Sequence, residues 1–260
     1  MTTARTRPPA PTLQNLSPLQ QVRAGRMTRR LAQLFDGLTL YGVSMAMMFR
    51  SGLGLNPWDV FHGGVARHLP LSMGTIVVLT AVLVLALWIP LRQAPGLGTV
   101  ANAVWLGVAL DLALWVLPQA DALAVQVPLL LGGIVLNGLA GALYIGSQLG
   151  PGPRDGLMTG IARKTGGSLR VIRTGIEVVV VALGWVLGGT VGIGTILYAL
   201  AIGPLVQRFM PFCIVVVDPP APRRGQAPRA VDASRSRALG DPVEHVDDVR
   251  GDLEGSRRRG

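Results

Sequence analysis

The stretch Ser51-Gly-Leu-Gly-Leu-Asn-Pro-Trp-Asp59 returns 96 residues later as Ser147-Gln-Leu-Gly-Pro-Gly-Pro-Arg-Asp155. The agreement extends to both sides of this stretch. Residues 37–112 align with residues 133–208 without a gap, and 24 of the 76 aligned pairs are identical. A repeat of this length that is built of apolar segments is typical of membrane proteins composed of two homologous helical bundles. The sequence therefore predicts an internally repeated membrane protein.

The composition favours the same class of protein. Half of the 260 residues are hydrophobic, the mean hydropathy is +0.46 and only 15% are charged, against about a quarter in soluble domains. Arginine is concentrated in the two ends and the short loops, and the N-terminal end, which has no acidic residue, supplies most of the net charge of +10. This distribution is expected at the cytoplasmic ends of membrane helices and not on a nucleic-acid-binding surface. We therefore expect the lipid bilayer as a partner and no nucleic acid.

Six apolar stretches are long enough to cross about 30 Å of hydrocarbon, whereas two further segments, 57–69 and 153–165, are too short. We therefore predict an all-α membrane protein with six transmembrane helices, arranged as two inverted three-helix repeats that each contain a short broken or re-entrant helix. The alternatives are that the short segments lie flat at the membrane interface or that they span. The predicted crossings are residues 33–50, 73–91, 98–117, 128–147, 170–188 and 194–216.

Arginine also predicts the orientation. With the N-terminus inside, the external segments hold only Arg50 and Arg67, so both termini should be cytoplasmic. Three crossings per unit is an odd number, which turns the second unit upside down. The basic cluster Arg23–Arg30 either contacts anionic headgroups or only sets the topology. The predicted divisions are a basic N-terminal tail, a first membrane repeat, an external loop, a second membrane repeat and a disordered C-terminal tail: residues 1–30, 31–117, 118–127, 128–217 and 218–260.

The repeated stretch has the pattern of a helix end, a glycine-rich break and a new helix start. Asn56 and Gly152 are the predicted N-caps, the prolines after them are the first helical residues, and Asp59 and Asp155 are the third. An acid in the first turn complements the helix dipole, so the two aspartates either cap their helices and do nothing else or belong to a ligand site. In the second interpretation the breaks expose backbone groups at depth, and Arg154 favours an anionic group.

Glu177 is the costliest residue of the predicted crossings, because a carboxylate in lipid needs a partner, a proton or water. Arg173 lies four residues earlier on the same helical face and can pair with it. The pair is either a structural ion pair or a contact for a substrate, and the first repeat has Ala81 in place of Glu177. The candidate ligand-binding residues are Asn56, Asp59, Arg154, Asp155, Arg173 and Glu177.

Other motifs point away from catalysis and cofactors. No nucleophile–base pattern or P-loop occurs, and Gly96-Leu-Gly-Thr99 with its repeat Gly192-Ile-Gly-Thr195 is interpreted as a helix start, not a dinucleotide fingerprint. His62 and His68 lack further ligands for a metal site nearby, and the single Cys213 cannot form an intramolecular disulfide. We therefore expect no enzyme activity, no catalytic residue, no metal and no cofactor.

Several motifs give the sequence a resemblance to a known family. Over about residues 33–210 the chain resembles the bacterial YczE-like integral membrane proteins and, more distantly, the YitT-type family. The resemblance implies a multi-pass bacterial membrane protein with no agreed substrate, and we predict that the chain lies in the bacterial inner membrane. The motifs are Arg50-Ser-Gly-Leu-Gly-Leu-Asn-Pro-Trp-Asp59, Ile89-Pro-Leu-Arg92 with Pro95-Gly-Leu-Gly-Thr99, Leu149-Gly-Pro-Gly-Pro-Arg-Asp-Gly-Leu157 and Arg173-Thr-Gly-Ile-Glu177.

Two functions fit these features. The first is a transporter or permease-like protein for a small-molecule solute, which the inverted repeat, the paired breaks and a buried Glu177 favour. The second is a non-transporting membrane partner or regulator of another membrane complex, which the scarcity of polar groups in the apolar stretches favours. A deep polar cavity between the repeats would indicate the first, and a solid glycine-packed bundle the second. The sequence specifies neither the solute nor an oligomeric state.

Overall fold

In the computed structural model, which describes residues 13–14 and 16–217, the chain is a bundle of helices. The predicted C-terminal tail lies outside the described residues, as do residues 1–12 and 15 of the predicted N-terminal tail. The helices are α1 (Pro18–Arg23), α2 (Met27–Ser51), α3 (Pro57–Ala66), α4 (Met73–Ala86), α5 (Trp88–Leu91), α6 (Leu97–Val116), α7 (Leu123–Gly146), α8 (Pro153–Thr165), α9 (Leu169–Val186) and α10 (Ile193–Cys213).

The helix starts follow the spacing of the sequence repeat. Helices α8, α9 and α10 begin 96 residues after α3, α4 and α6, respectively. The local chemistry is shared as well. Both short helices, α3 and α8, start with proline, serine precedes α4 and α9, and a glycine N-cap precedes α6 and α10. The structure thus confirms the predicted short helices after the two breaks and the interpretation of the two Gly-x-Gly-Thr motifs as helix starts.

Four helical segments are long and apolar enough to cross a membrane, namely α4 together with α5, α6, α7 and α10. Helices α2 and α9 are of comparable length but carry more charge: α9 holds Arg170, Arg173 and Glu177, and α2 holds Asp36 between arginines near its two ends. Within the described residues, four segments therefore meet the criteria of length and composition, where the sequence predicted six crossings.

The core is formed around the corresponding helices α2 and α7, which pack against each other, with α6 beside α2 and α10 beside α7. Glycine allows this close packing. A side chain at Gly37 would lie 2.8 Å from the backbone nitrogen of Tyr144 on α7, and one at Gly42 would lie 2.7 Å from the side chain of Ala109 on α6. Small residues at helical contacts let backbones approach in lipid, where no hydrophobic effect drives association.

Each break is hydrogen-bonded to a helix start of the other half. The backbone N–H of Gly98 donates to Leu149 O (2.7 Å), and that of Gly194 donates to Leu53 O (2.9 Å). The two bonds correspond under the shift of 96 residues, with the donor and acceptor halves exchanged. The short helices contact both halves: α3 packs mainly on α9 and also on α4, and α8 packs on α4, α5 and α9.

The structure differs from the predicted divisions in two places. Helix α7 begins at Leu123 and continues through Pro128, so the loop before it is shorter than the predicted 118–127. Arg30 belongs to α2 and is fully buried. Its guanidinium donates to the carbonyl oxygens of Ser147 (2.8 Å) and Gln148 (2.7 Å). Arg30 thus satisfies carbonyls beyond the end of α7, a contact between distant segments that neither interpretation of the basic cluster included.

Candidate ligand-binding site

The first break is held by its own polar side chains. Gly54 has φ +128°, a backbone conformation that favours glycine. Asn56 is the N-cap of α3, as predicted. Its Oδ1 accepts a hydrogen bond from the backbone N–H of Asp59 (3.0 Å). The carboxylate of Asp59 is in turn 3.1 Å from Nδ1 of His62. Asp59 is therefore fixed within α3 by neighbours one turn away.

The second break places its aspartate differently. Gly150 has φ +121° and Gly152 is the N-cap of α8, as predicted. The carboxylate of Asp155, however, accepts a short hydrogen bond from the hydroxyl of Tyr144 on α7. The two equivalent aspartates thus have different partners, one within its own helix and one on a neighbouring helix.

Two adjoining cavities lie beside the breaks. The smaller has a volume of about 60 Å³ and the larger about 250 Å³. Since one water molecule takes up about 30 Å³ of liquid, the larger cavity has room for several waters or a small polar group. The residues that line both cavities are Tyr41, Trp58, Tyr144, Arg154 and Asp155.

The two cavities occupy corresponding places in the two halves. A shift of 96 residues converts lining residues of the smaller cavity into lining residues of the larger one. The corresponding pairs are Tyr41/Asn137, Met45/Gly141, Trp58/Arg154, Asp59/Asp155, His62/Met158, Val77/Arg173, Ala81/Glu177, Asn102/Tyr198 and Leu106/Ile202. The chemistry of the two cavities therefore differs through particular replacements, of which three introduce charge: Trp58 by Arg154, Val77 by Arg173 and Ala81 by Glu177.

Arg173 and Glu177 give the larger cavity an ion pair. The Nε of Arg173 donates to Oε1 of Glu177 at 3.1 Å, which confirms that the two residues pair on one helical face. The side chain of Glu177 is 28% exposed and that of Arg173 is 51% exposed. The expectation of a buried Glu177 is therefore wrong. The first turns of α9 lie at the side of the bundle, where the pair borders the cavity and is not enclosed by protein.

Two hydrogen-bond donors that line the cavities are available to a ligand. The guanidinium of Arg154 stacks 5.3 Å from the ring centroid of Tyr41 and forms no ion pair with a carboxylate of the described residues. Trp58 is only 8% exposed, and its indole N–H has no acceptor in the described part of the chain. The indole N–H of Trp88, by contrast, donates to Pro153 O at 2.9 Å. A buried donor without an acceptor costs about 1–3 kcal/mol, which a ligand oxygen at this place would recover.

The sequence did not single out the polar residues that connect the central helices. The hydroxyl of Tyr198 donates to Oδ1 of Asn137 (2.9 Å), and the amide of Asn137 donates to Oγ of Ser44 (2.8 Å). The repeat contained a signal for them, because it aligns Tyr41 with Asn137 and Asn102 with Tyr198. In the second half, the two exchanged residues Asn137 and Tyr198 form a polar pair.

The structure brings five of the six candidate ligand-binding residues to the cavities. Asp59 lines the smaller cavity, Arg173 and Glu177 line the larger one, and Arg154 and Asp155 line both. Asn56 lines neither of them and is 1% exposed, where it caps α3. Binding by these residues stays a prediction.

The comparisons with known proteins give relatives of uncharacterised function. Residues 28–211 match a family of unknown function (DUF6198). An uncharacterised protein of Haemophilus influenzae is 37% identical over 182 residues, which cover 70% of this chain and 84% of that protein. The uncharacterised membrane protein YczE of Bacillus subtilis is 32% identical over 199 residues, 75% of this chain and 92% of YczE. No solved structure matches significantly. These findings confirm the YczE-like resemblance and agree with a helical membrane protein.

Proposed function

This chain belongs to the family of unknown function DUF6198, and from that premise we propose that it is a transporter for a small-molecule solute in the bacterial inner membrane. The observation that carries the proposal is the larger polar cavity, about 250 Å³, between α8, α9 and the central helices. Its charged lining consists of Arg154, Asp155, Arg173 and Glu177. Charged groups at membrane depth are costly unless a partner, water or a ligand meets them. The cavity also argues against a solid bundle, the arrangement expected of a non-transporting partner.

The proposed architecture is a pair of inverted units. We infer that α2 and α9 span the membrane beside the four apolar segments, so that each half crosses three times. An odd number of crossings reverses the second half. The exchanged hydrogen bonds Gly98–Leu149 and Gly194–Leu53 are then related by an axis in the membrane plane.

The orientation follows from which segments share an end of the bundle. At one end, the side chain of Gln148 accepts from Gln14 N (2.7 Å) and donates to Val215 O (2.7 Å). At the other end, Ala120 N donates to Arg50 O (3.1 Å). The first end is rich in basic residues, and we therefore infer that it is cytoplasmic, with both termini. These basic residues include Arg23, Arg26, Arg29, Arg30 and Arg208.

The unequal volumes of the two cavities support alternating access. In an inverted pair, corresponding cavities face opposite sides of the membrane. One of them is contracted to about 60 Å³ while the other holds about 250 Å³. If the larger cavity contracted while the smaller one expanded, a solute bound at Arg154 and Asp155, which line both cavities, would pass from one side of the membrane to the other.

The test is the side from which a water-soluble thiol reagent reaches each cavity. In a Cys213→Ala background, Gly203→Cys places a thiol at the larger cavity, where an added Cβ meets no heavy atom within 4 Å. Ala81→Cys does the same at the smaller cavity. We expect a membrane-impermeant maleimide to label position 203 from the cytoplasmic side and position 81 from the outside.

The matched control is Gly175→Cys on α9, where the added side chain also meets nothing within 4 Å but should face lipid and stay unlabelled. Labelling of positions 203 and 81 from the same side, or of neither, would contradict transport and favour the non-transporting partner.

A further inference from the structure

We propose that the solute of this transporter is an amphiphile with an anionic head, which enters the larger cavity from the bilayer through a groove between α9 and α10. The inference rests on the proposed function and names the chemical class of its substrate. The groove has a volume of about 610 Å³ and lies on the outside of the bundle. Its apolar lining includes Val178, Val181 and Trp185 on α9 and Ile196, Ala199 and Leu200 on α10.

The separation of α9 and α10 has a cause in the sequence. The corresponding helices α4 and α6 pack closely, because a side chain on Gly74 would collide with the carbonyl oxygen of Gly107. Asp111 stabilises this contact by accepting a hydrogen bond from Gly74 N (2.7 Å). In the second half, Arg170 stands in place of Gly74 and Gln207 in place of Asp111. Arg170 is too large for the same approach, and the groove is open where its counterpart is closed.

The groove is suited to an alkyl chain. Its walls at Val178, Trp185 and Leu200 are 62%, 67% and 71% exposed. In the membrane such side chains face lipid, so a chain moves from the bilayer into the groove without crossing water. The dispersion contacts of the groove walls then replace those with neighbouring lipid chains.

The groove joins the polar cavity. Pro57 and Glu177 line both spaces, so a molecule that fills the groove reaches the charged lining at its inner end. A ligand that occupies both spaces must therefore combine an apolar chain with a polar head.

The unpartnered donors specify the charge of that head. Asp155 already accepts from Tyr144, and Glu177 accepts from Arg173. Arg154 has no ion-pair partner among the described carboxylates, and the nearly buried indole N–H of Trp58 has no described acceptor. A guanidinium binds carboxylate or phosphate oxygens with charge-assisted hydrogen bonds. Arg154 and Trp58 thus fit an anionic head.

The experiment is photolabelling of the full-length protein in phosphatidylcholine nanodiscs. The probe is hexadecanoic acid with a diazirine in mid-chain, and hexadecanol with the same diazirine is the uncharged comparison. Peptide mass spectrometry maps the labelled residues. We expect the acid to label the groove faces of α9 and α10, within residues 178–200, at least about tenfold more than the alcohol, because one charge-assisted hydrogen bond supplies about that factor.

The variants test the binding site of the head and the groove for the alkyl chain separately. We expect Arg154→Gln and Trp58→Phe each to reduce labelling of the groove by the acid several-fold. Ala199→Trp, on an exposed face of α10, fills the groove without touching the head site and should abolish the labelling. The control is Arg208→Gln, because Arg208 stacks on Phe212 (5.4 Å) and lines neither the groove nor the larger cavity.

Two results would overturn the inference: equal labelling by the alcohol, or acid labelling that Arg154→Gln, Trp58→Phe and Ala199→Trp leave unchanged, as expected of ordinary bilayer lipid. Inorganic phosphate distinguishes the inference from the proposed function. If phosphate, but not hexadecanoic acid, protects Gly203→Cys from the maleimide, the amphiphile is refuted while a solute transporter stands. If the acid labels the groove as expected but positions 203 and 81 react from one side only, the site stands and transport is refuted.

Discussion

Removal of the buried Arg30 guanidinium should destabilise the protein strongly. Its hydrogen bonds to Ser147 O and Gln148 O, and a third to Gln21 O, join α2 to the second break and to the N-terminal segment. Hydrogen bonds from a charged donor contribute about 1.5–3 kcal/mol each, and their sum is offset in part by the cost of burying the charge. Arg30→Met leaves these three carbonyl oxygens without this donor, and we therefore expect it to cost about 3–5 kcal/mol, which corresponds to a fall of roughly 6–20 °C in the midpoint of unfolding for a protein of this size.

The single buried Cys213 supplies the assay. The purified protein is heated in detergent with a dye that becomes fluorescent on reaction with a thiol, so the signal reports exposure of this cysteine. The matched control is Arg29→Met, since Arg29 is the exposed neighbour and should change the midpoint by less than about 2 °C. Arg30→Lys, which keeps the charge but not the planar fork, should fall between the two. If Arg30→Met unfolds within 2 °C of Arg29→Met, the structural role assigned to Arg30 is refuted.

Three further outcomes are expected. In the same assay, Gly54→Ala should cost about 1–3 kcal/mol because of its φ of +128°, whereas Gly203→Ala, in open space within α10, should be neutral or stabilising; equal effects would contradict the geometry of the break. Asp111→Ala should cost about 2 kcal/mol, because it removes the hydrogen bonds from Gly74 N and the Ser72 hydroxyl, and an unchanged midpoint would refute the stabilisation of the contact between α4 and α6 by Asp111. Truncation after Val217 should leave membrane insertion and the midpoint unchanged, and loss from the membrane fraction would refute a dispensable tail.

Local sequence signals predicted the helix starts well. Pro57 and Pro153 begin their helices as expected, and Asn56 caps α3 through its side chain. Such starts depend on residues three or four positions apart, so their physical causes lie within the quoted stretches. The Arg173–Glu177 pair was predictable for the same reason, because its geometry is set by one turn of helix.

Contacts between distant segments were not predictable in this way. The basic cluster Arg23–Arg30 does not indicate which of its side chains point into the protein. Only the packed structure shows that Arg30 turns inward to Ser147 and Gln148. A ligand site at the breaks was one of two interpretations of the sequence, but the contribution of Tyr144 and Tyr198 to the cavity depends on how α7 and α10 pack. The repeat also favoured two similar halves. In the second half, however, Arg170 stands in place of Gly74, and α9 and α10 are separated where α4 and α6 pack closely.

The proposed inversion of the two halves requires that α2 and α9 each cross the membrane. The most direct measurement is the sidedness of single cysteines that flank these helices, in intact cells and in a Cys213→Ala background. Gly167 and Thr190 lie before and after α9, and Gln14 and His68 lie before α2 and beyond its end. We expect a membrane-impermeant maleimide to label cysteines at 68 and 190 from outside, and those at 14 and 167 only after permeabilisation. Labelling of positions 167 and 190 from the same side would contradict the inversion.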